Sequence, residues 1–464
     1  MAYRFDNNGT KFNFECILCV LERVHIWQVL LIMLPSVQRK SGIDILKDFL
    51  VFHIIFFIEK SEFLFLILIV SNFIAQTDFP FAEAFGIIKW IVLIGFVAIN
   101  LINIGLKSDE KIIVHKKLYK AVGLFIFYLV FNSLLSIDIG LSLSKTAILT
   151  VSFLLWFLIL PNYFKKKEQF LGLVTYLFYF FAAFLFLNIF LTVIAPGTFF
   201  KMGIYTRYSG IFENANTLGM FSFLSVVFIL YKIKTGTRFE KILSFLMSLM
   251  VIANLLLTVS RSSMLGTFIV VTVFLYFYYR KLFYVEMTGI AVVVSILFLF
   301  PIIMDLLRLT SNPFSYREQL FTLAITNWKE SILFGKGFGT AQILTSNVFT
   351  FLQHGYNLLI VGKHFHNAYI ELLTETGIIG VLSFFPVLVI ITSQIKKVLK
   401  AVRGKLRLLT LLFSGLIVGF LIQNLFESAL FAPGNGITFL FWSFCGLLLS
   451  LPKITDSENE SYAL

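Results

Sequence analysis

Apolar runs of about bilayer length recur through most of this chain, at residues 63–79, 85–106, 119–137, 143–161, 168–195, 216–232, 240–259, 263–279, 284–304, 370–394, 407–429 and 437–452. About 20 helical residues cross ~30 Å of hydrocarbon, where every backbone amide must find its partner within the chain. The pattern therefore predicts an all-α, polytopic membrane protein with about twelve transmembrane helices and one large extracytoplasmic loop. Hydrophobic residues make up 58% of the 464 positions and charged residues only 14%. A soluble domain carries about 25% charge, so water is excluded as the main solvent.

The remaining charges assign sides. Lys107, Lys111, Lys116, Lys117 and Lys120 share one connection, and Lys165, Lys166 and Lys167 the next but one. Lys232, Lys234, Arg238 and Lys241 follow, then Arg280 and Lys281, then Lys396, Lys397, Lys400, Arg403, Lys405 and Arg407. Lysine and arginine accumulate in cytoplasmic loops, so these connections are assigned inside, with both termini. The alternate short connections hold only Lys145, Lys201, Arg207 and Arg261, and the long connection falls outside. The net charge of +13 is thus read as topology, and no nucleic-acid partner is expected. The organisation expected is a cytoplasmic or interfacial region over 1–62, nine helices over 63–304, an extracytoplasmic loop over 305–369, three helices over 370–452 and a cytoplasmic tail over 453–464. Glu22, Arg23, Lys47 and Asp48 interrupt the apolar stretches of the first sixty residues, which favours surface-lying helices there. No cleavable signal peptide is expected. The pair Cys16 and Cys19 has no second pair to complete a tetrahedral metal site, and with Cys445 it is read as apolar packing.

On this topology the sparse outer charges gather in four polar clusters: Arg207 to Asn216, Ser260 to Ser263, Tyr316 to Glu318, and His364 to Asn367. Ionisable groups at a membrane boundary are costly, and several converging on one face point to a site. Arginine presents a permanent, planar fork suited to phosphate oxygens, so Arg207, Arg261 and Arg317 together suit a diphosphate without a metal. Asn214 and Asn216 either bind sugar hydroxyls or cap the helix beginning near Thr217. Ser260 adds a hydroxyl. Histidine is the natural proton acceptor near neutral pH, and His364, His366 and the more distant His354 all qualify. Glu371 and Glu375 lie one turn apart on one helical face, which lets one orient a histidine and the other contact a neighbouring helix. Gln423, Asn424 and Glu427 are the main polar groups inside a late span; they serve a transferase or a carrier, or simply bond between helices. Gly335 to Gly339 is read as a tight turn shaping the outer loop. The chain has no D-x-D, no phosphate-binding P-loop and no H-E-x-x-H, which disfavours a cytosolic nucleotide-sugar donor and gives no metal or cofactor to expect.

The order and spacing of these elements resemble the O-antigen ligase and polymerase family of integral membrane glycosyltransferases. The resemblance covers roughly residues 200–385. It rests on R-x-x-G-x-F-x-N-x-N from Arg207 to Asn216, on Ser260-Arg261, on Arg317, on Gly335 and Gly337, on His366-Asn367, and on Glu375 with Gly377. Ala215 stands where the family's pattern has proline between the two asparagines. The resemblance implies an undecaprenyl-diphosphate-linked glycan donor bound from the outer leaflet of the cytoplasmic membrane, and a glycan acceptor. It implies arginines on the diphosphate, His366 as base or acceptor-orienting group, inversion at the anomeric carbon, and no metal. A flippase and a chain-length regulator are the further partners it suggests. Polymerisation of the repeats of a surface polysaccharide (O-antigen, capsule or exopolysaccharide) is the activity favoured, ahead of ligation to a different acceptor. A flippase is the third reading, and it would want its polar groups at the bilayer midplane.

Overall fold

The computed structural model describes residues 61–106, 115–164, 166–195, 200–201, 207–299, 317–345, 349–353, 356–360, 364–432 and 434–451. The expectations for the N-terminal region before residue 61, Cys16 and Cys19, His354, Tyr316 and the tail 453–464 fall outside the described residues. Each of the twelve apolar runs carries a helix. These are α1 (Ser61–Ile74), α2 (Ala82–Leu106), α3 (Lys116–Leu134), α4 (Ile139–Tyr163), α5 (Lys167–Ile194), α6 (Ala215–Thr235), α7 (Arg238–Thr258), α8 (Arg261–Tyr278) and α9 (Arg280–Leu299). In the loop that follows lie α10 (Arg317–Lys329) and α11 (Ala341–Leu344), and then come α12 (Ala368–Ala401), α13 (Gly404–Gln423) and α14 (Gly436–Leu448). Among the described residues, nine helices are long and apolar enough to cross a membrane, while α1 and α14 are shorter. The fold is all-α and polytopic, with two short antiparallel hairpins: β1 (Phe200–Lys201) with β2 (Arg207–Tyr208), and β3 (Phe349–Gln353) with β4 (Tyr356–Ile360).

The helix ends obey local chemistry. Asp138, Asn214, Thr237, Asn367 and Asn435 each accept backbone N–H groups at the start of a helix, and Thr237 forms a reciprocal capping box with Glu240. Helix α4 takes one π turn, Leu154–Ile159, before ending at Pro161 to Tyr163.

Helix α6 lies at the centre, with 83% of its apolar window buried against 22% for the peripheral α2. Helix α6 packs on α7, α8 and α13, and α8 lies along α13. The last two approach closely because they meet at glycines: a Cβ on Gly419 would lie 2.9 Å from the Gly266 carbonyl oxygen, and one on Gly266 would lie 3.0 Å from the Phe223 ring. Small residues at such crossings let backbones pack where lipid offers no hydrophobic drive between helices. Phenylalanine fills much of the rest. Phe221 on α6 meets Phe73 at 5.2 Å, Phe181 at 4.8 Å and Phe212 at 5.2 Å between ring centroids.

One feature of the bundle shapes its polar end. Helix α12 is broken at Gly377, whose φ of 64° and ψ of −171° are open essentially to glycine alone. The break exposes backbone groups, which the preceding loop takes up. Ile378 N–H donates to the Ile332 carbonyl (3.0 Å), and Lys336 and Gly337 N–H donate to the Thr374 and Glu375 carbonyls (3.0 and 2.8 Å). Asn132 on α3 locks the junction by donating to the Phe334 and Glu375 carbonyls (2.6 and 3.2 Å) and accepting from Phe338 N–H (2.8 Å). The glycine-rich turn is therefore a bracket between α3 and α12. Gly335 and Gly337, both at positive φ, sit so close to Glu375 and Ser136 that side chains there would clash.

Candidate functional site

Alternation along the bundle brings the starts of α6, α8 and α12 and the ends of α7 and α13 to one pole. Arg207, in β2, reaches across this pole: its Nε donates to the Thr258 carbonyl at the end of α7 (2.8 Å) and its Nη2 to Asn216 Oδ1 (2.8 Å). Asn216 Nδ2 in turn donates to Glu427 Oε1 (2.9 Å). The same carboxylate oxygen accepts from Arg317 Nη2 at the start of α10 (3.0 Å), and Glu427 Oε2 lies 3.5 Å from His366 Nδ1. Residues far apart in the chain thus converge on one carboxylate that is only 5% exposed.

Helix α13 makes this possible by ending early. The apolar pattern places Gln423, Asn424 and Glu427 inside a span reaching residue 429, but the helix stops at Gln423. Asn424 turns the chain by accepting from Ala429 N–H (2.9 Å), and the Asn424 and Glu427 carbonyls both accept from Ala368 N–H at 3.0 Å. That backbone clamp ties the Glu427 turn to the start of α12, beside His366. Glu427 thus lies in a turn beyond the helix rather than inside a span, and its place at the centre of these contacts is what sequence reasoning missed. The one local signal for it is the polar pair Gln423-Asn424, which interrupts the final apolar run before Pro433-Gly434. Burial pushes the Glu427 carboxyl up, but His366 and Arg317 outweigh it and hold the group below the usual carboxylate range. It is therefore ionised at neutral pH, and its ties to Arg317 and His366 are released only as pH falls through that lowered value.

The other expected residues divide by role. Asn214 caps α6 by accepting from Thr217 N–H (2.9 Å), leaving Asn216 to the network, where capping had been the alternative for Asn216. Asn367 caps α12 by accepting from Tyr369 and Ile370 N–H (both 3.0 Å). Ser260 bonds to Ser263, which accepts from Gln423 Nε2 (2.8 Å), so this turn is tied inward to α13. Arg261, half-buried, opens α8 directly after the turn that Arg207 grips. His366 is one of two non-glycine residues at positive φ among the described residues, at 53°. A strained backbone at such a spot is over-determined by its surroundings, and functional sites are where such strain collects.

The two histidines of the segment face different partners. His364 Nδ1 lies 2.9 Å from Glu371 Oε1, while Glu371 Oε2 accepts from Phe365 N–H (3.1 Å). Glu375, one turn on, instead accepts from Ala341 N–H (2.8 Å) and braces α11. Burial lowers the His364 pKa, but the Glu371 hydrogen bond and charge outweigh it and raise it above the ordinary histidine value. A raised folded-state pKa contributes stability that is fully present below about pH 6.5 and lost as pH rises through the folded value. His364→Gln is accordingly expected to lower the Tm of the purified protein most at mildly acidic pH and little at alkaline pH. Thermal unfolding across the pH range checks this, and a pH-independent difference would contradict the ion pair.

A family model described as O-antigen ligase matches residues 242–385. The match supports an O-antigen ligase/polymerase-like family. Comparison with curated proteins gave no match. The matched segment contains Arg261, Arg317, the glycine bracket, His364, His366 and the Glu375–Gly377 break, whereas Arg207, Asn216 and Glu427 lie outside it. A family of this kind implies a glycosyltransferase-type enzyme using lipid-linked glycans in a bilayer.

Proposed function

We propose that this protein polymerises undecaprenyl-diphosphate-linked oligosaccharide repeats of a surface polysaccharide at the outer face of the cytoplasmic membrane. The observation that carries the reading is the convergence of Arg207, Arg317 and His366 on Glu427 at one pole. That pole is opposite the lysine-rich connections, which the positive-inside tendency assigns to the cytoplasm. The domain organisation set out from the sequence, with its extracytoplasmic loop over 305–369, belongs to the same proposal.

In this mechanism the guanidiniums of Arg207, held by the Thr258 carbonyl and Asn216, and of Arg317, held by Glu427, bind the dianionic diphosphate. Arg261 adds a third cation from the neighbouring turn. With Nδ1 turned to Glu427, His366 keeps Nε2 for the acceptor. The acceptor hydroxyl gives its proton to that nitrogen as its oxygen bonds to the anomeric carbon of the donor. The bond from that carbon to the diphosphate oxygen breaks, its electron pair leaves on undecaprenyl diphosphate, and the configuration inverts. Glu427 stabilises the imidazolium formed, and the arginines stabilise the charge on the leaving group.

The family match, described as a ligase, keeps a second acceptor in view: the same chemistry onto a different anchor. Lipid-linked glycans extracted from a strain lacking this protein decide between them. Single repeats on the lipid are expected for the polymerase, and long polymer stranded on the lipid would instead mean a ligase. Single repeats held on the cytoplasmic leaflet would mean a flippase and overturn the site. Arg317→Lys is expected to lower transfer at least tenfold while the protein still folds, because an ammonium keeps the charge toward Glu427 but loses the fork. Unchanged transfer in an in vitro polymerisation assay would remove Arg317 from the diphosphate site.

A further inference from the structure

Beside the arginine cluster, a cleft of about 320 Å³ opens between α2, α4, the start of α12 and the turn that precedes α14. Its lining residues His364, Ala368 and Ser428 are near neighbours in the chain of His366 and Glu427, and Ala368 N–H donates to the Glu427 carbonyl (3.0 Å). Its size is within the ~300–1,000 Å³ range of ligand pockets.

The lining has a distinctive chemistry. Trp90 supplies a half-buried aromatic surface, held in place by Gly434, where a Cβ would lie 3.0 Å from the indole ring, and by Lys89, which donates to the Gly434 carbonyl (2.7 Å). Around it stand the amide of Gln342, the ammonium of Lys145 and the His364–Glu371 pair. Ser428 also lines the cleft, and its Oγ has no hydrogen-bond partner among the described residues. Ionisable side chains of both signs line it, Lys145 and His364 with Glu371 and Glu375, beside the amide of Gln342. This mixed lining is unlike the arginine cluster. It suits an uncharged ring with one apolar C–H face and many hydroxyls that both donate and accept.

We propose that this cleft is the acceptor subsite, holding a neutral, hydroxyl-rich sugar ring against Trp90, with Lys145, Gln342, His364 and Ser428 as its hydrogen-bonding partners. The proposal rests on the glycosyl-transfer reading above and names the substrate of its second half. In this reading a ring held beside His364 and Ala368 presents its attacking hydroxyl to His366, which lies between them in the chain.

The probe is a set of fluorescently tagged soluble oligosaccharides released from the host strain's own surface polysaccharide. They are titrated into the full-length protein in nanodiscs, as wild type and as His366→Ala to prevent turnover. Saturable binding is expected in both. The double variant Lys145→Ala with Gln342→Ala, both exposed and so harmless to folding, is expected to weaken it at least tenfold. Trp90→Leu should weaken it similarly and Trp90→Phe much less, while binding of unglycosylated undecaprenyl diphosphate stays unchanged in all three. Absence of saturable binding in the wild type, or an unchanged Kd in both the double variant and Trp90→Leu, would overturn the proposal. If these variants lose binding while His366→Ala still yields full-length polymer in cells, the subsite stands and the catalytic reading of His366 falls.

Discussion

His366→Ala is expected to reduce glycan transfer by about 10²–10⁴-fold, the range a positioned general base contributes. That corresponds to roughly 3–5 kcal/mol of transition-state stabilisation. Stability should change little, because the side chain is one-third exposed and its ring makes only a long contact to Glu427. His366→Gly separates ring from backbone. Glycine relieves the strain of the positive φ, worth about 1–2 kcal/mol, while also removing the imidazole. If the ring is the base, both variants lose transfer and the glycine variant is the more stable. Sizing lipid-linked and surface glycans from complemented strains, beside Tm of the purified proteins, checks both expectations. Near-normal polymer length in either variant would end the catalytic role.

Gly377→Ala is expected to prevent accumulation of folded protein. A Cβ there would lie 2.2 Å from the Leu333 carbonyl oxygen and 2.4 Å from its carbon, both backbone atoms that cannot rotate away. The φ/ψ pair adds strain of about 1–3 kcal/mol. Relief by straightening α12 would forfeit the bonds from Ile378 and Ile379 N–H to the Ile332 and Leu333 carbonyls, each worth ~1 kcal/mol. Either route takes a substantial part of the total stability of a marginally stable protein, about 5–15 kcal/mol. The measurement is the monodisperse fraction in size-exclusion chromatography after solubilisation. A wild-type yield and Tm would mean that the helix break is dispensable.

The fold class was legible because hydrocarbon forces each long apolar run into a helix, and the twelve runs and the twelve helices coincide within a few residues. The loop glycines were legible as a turn, but not as a bracket. That role depends on Gly377 opening α12 and on Asn132 arriving from α3, and nothing in a linear pattern links residues separated by more than two hundred positions. The arginines and the loop histidines were legible as costly charges at a membrane boundary, and the family resemblance ordered them. Their division of labour was not. His364 and His366 are two residues apart and chemically identical, yet one meets Glu371 and the other Glu427. Glu371 and Glu375 share a helical face, yet one holds a histidine while the other caps a helix in the preceding loop.

Glu427 shows the boundary most clearly. By hydropathy it lies at the end of a span, and an acid there reads as a helix-to-helix contact. Whether α13 runs on to residue 429 or stops at Gln423 is decided by Asn424 turning the chain and by Ala368 N–H pinning the turn, which are long-range backbone bonds. By itself the sequence determined a membrane-spanning helical bundle and the residue types gathered at one pole, because solvent acts on each segment independently. Only the tertiary structure decided which of those residues share a carboxylate and which line the neighbouring cleft. Hydrogen bonds of ~3 Å select partners by the packing of helices, and packing is a property of the whole chain.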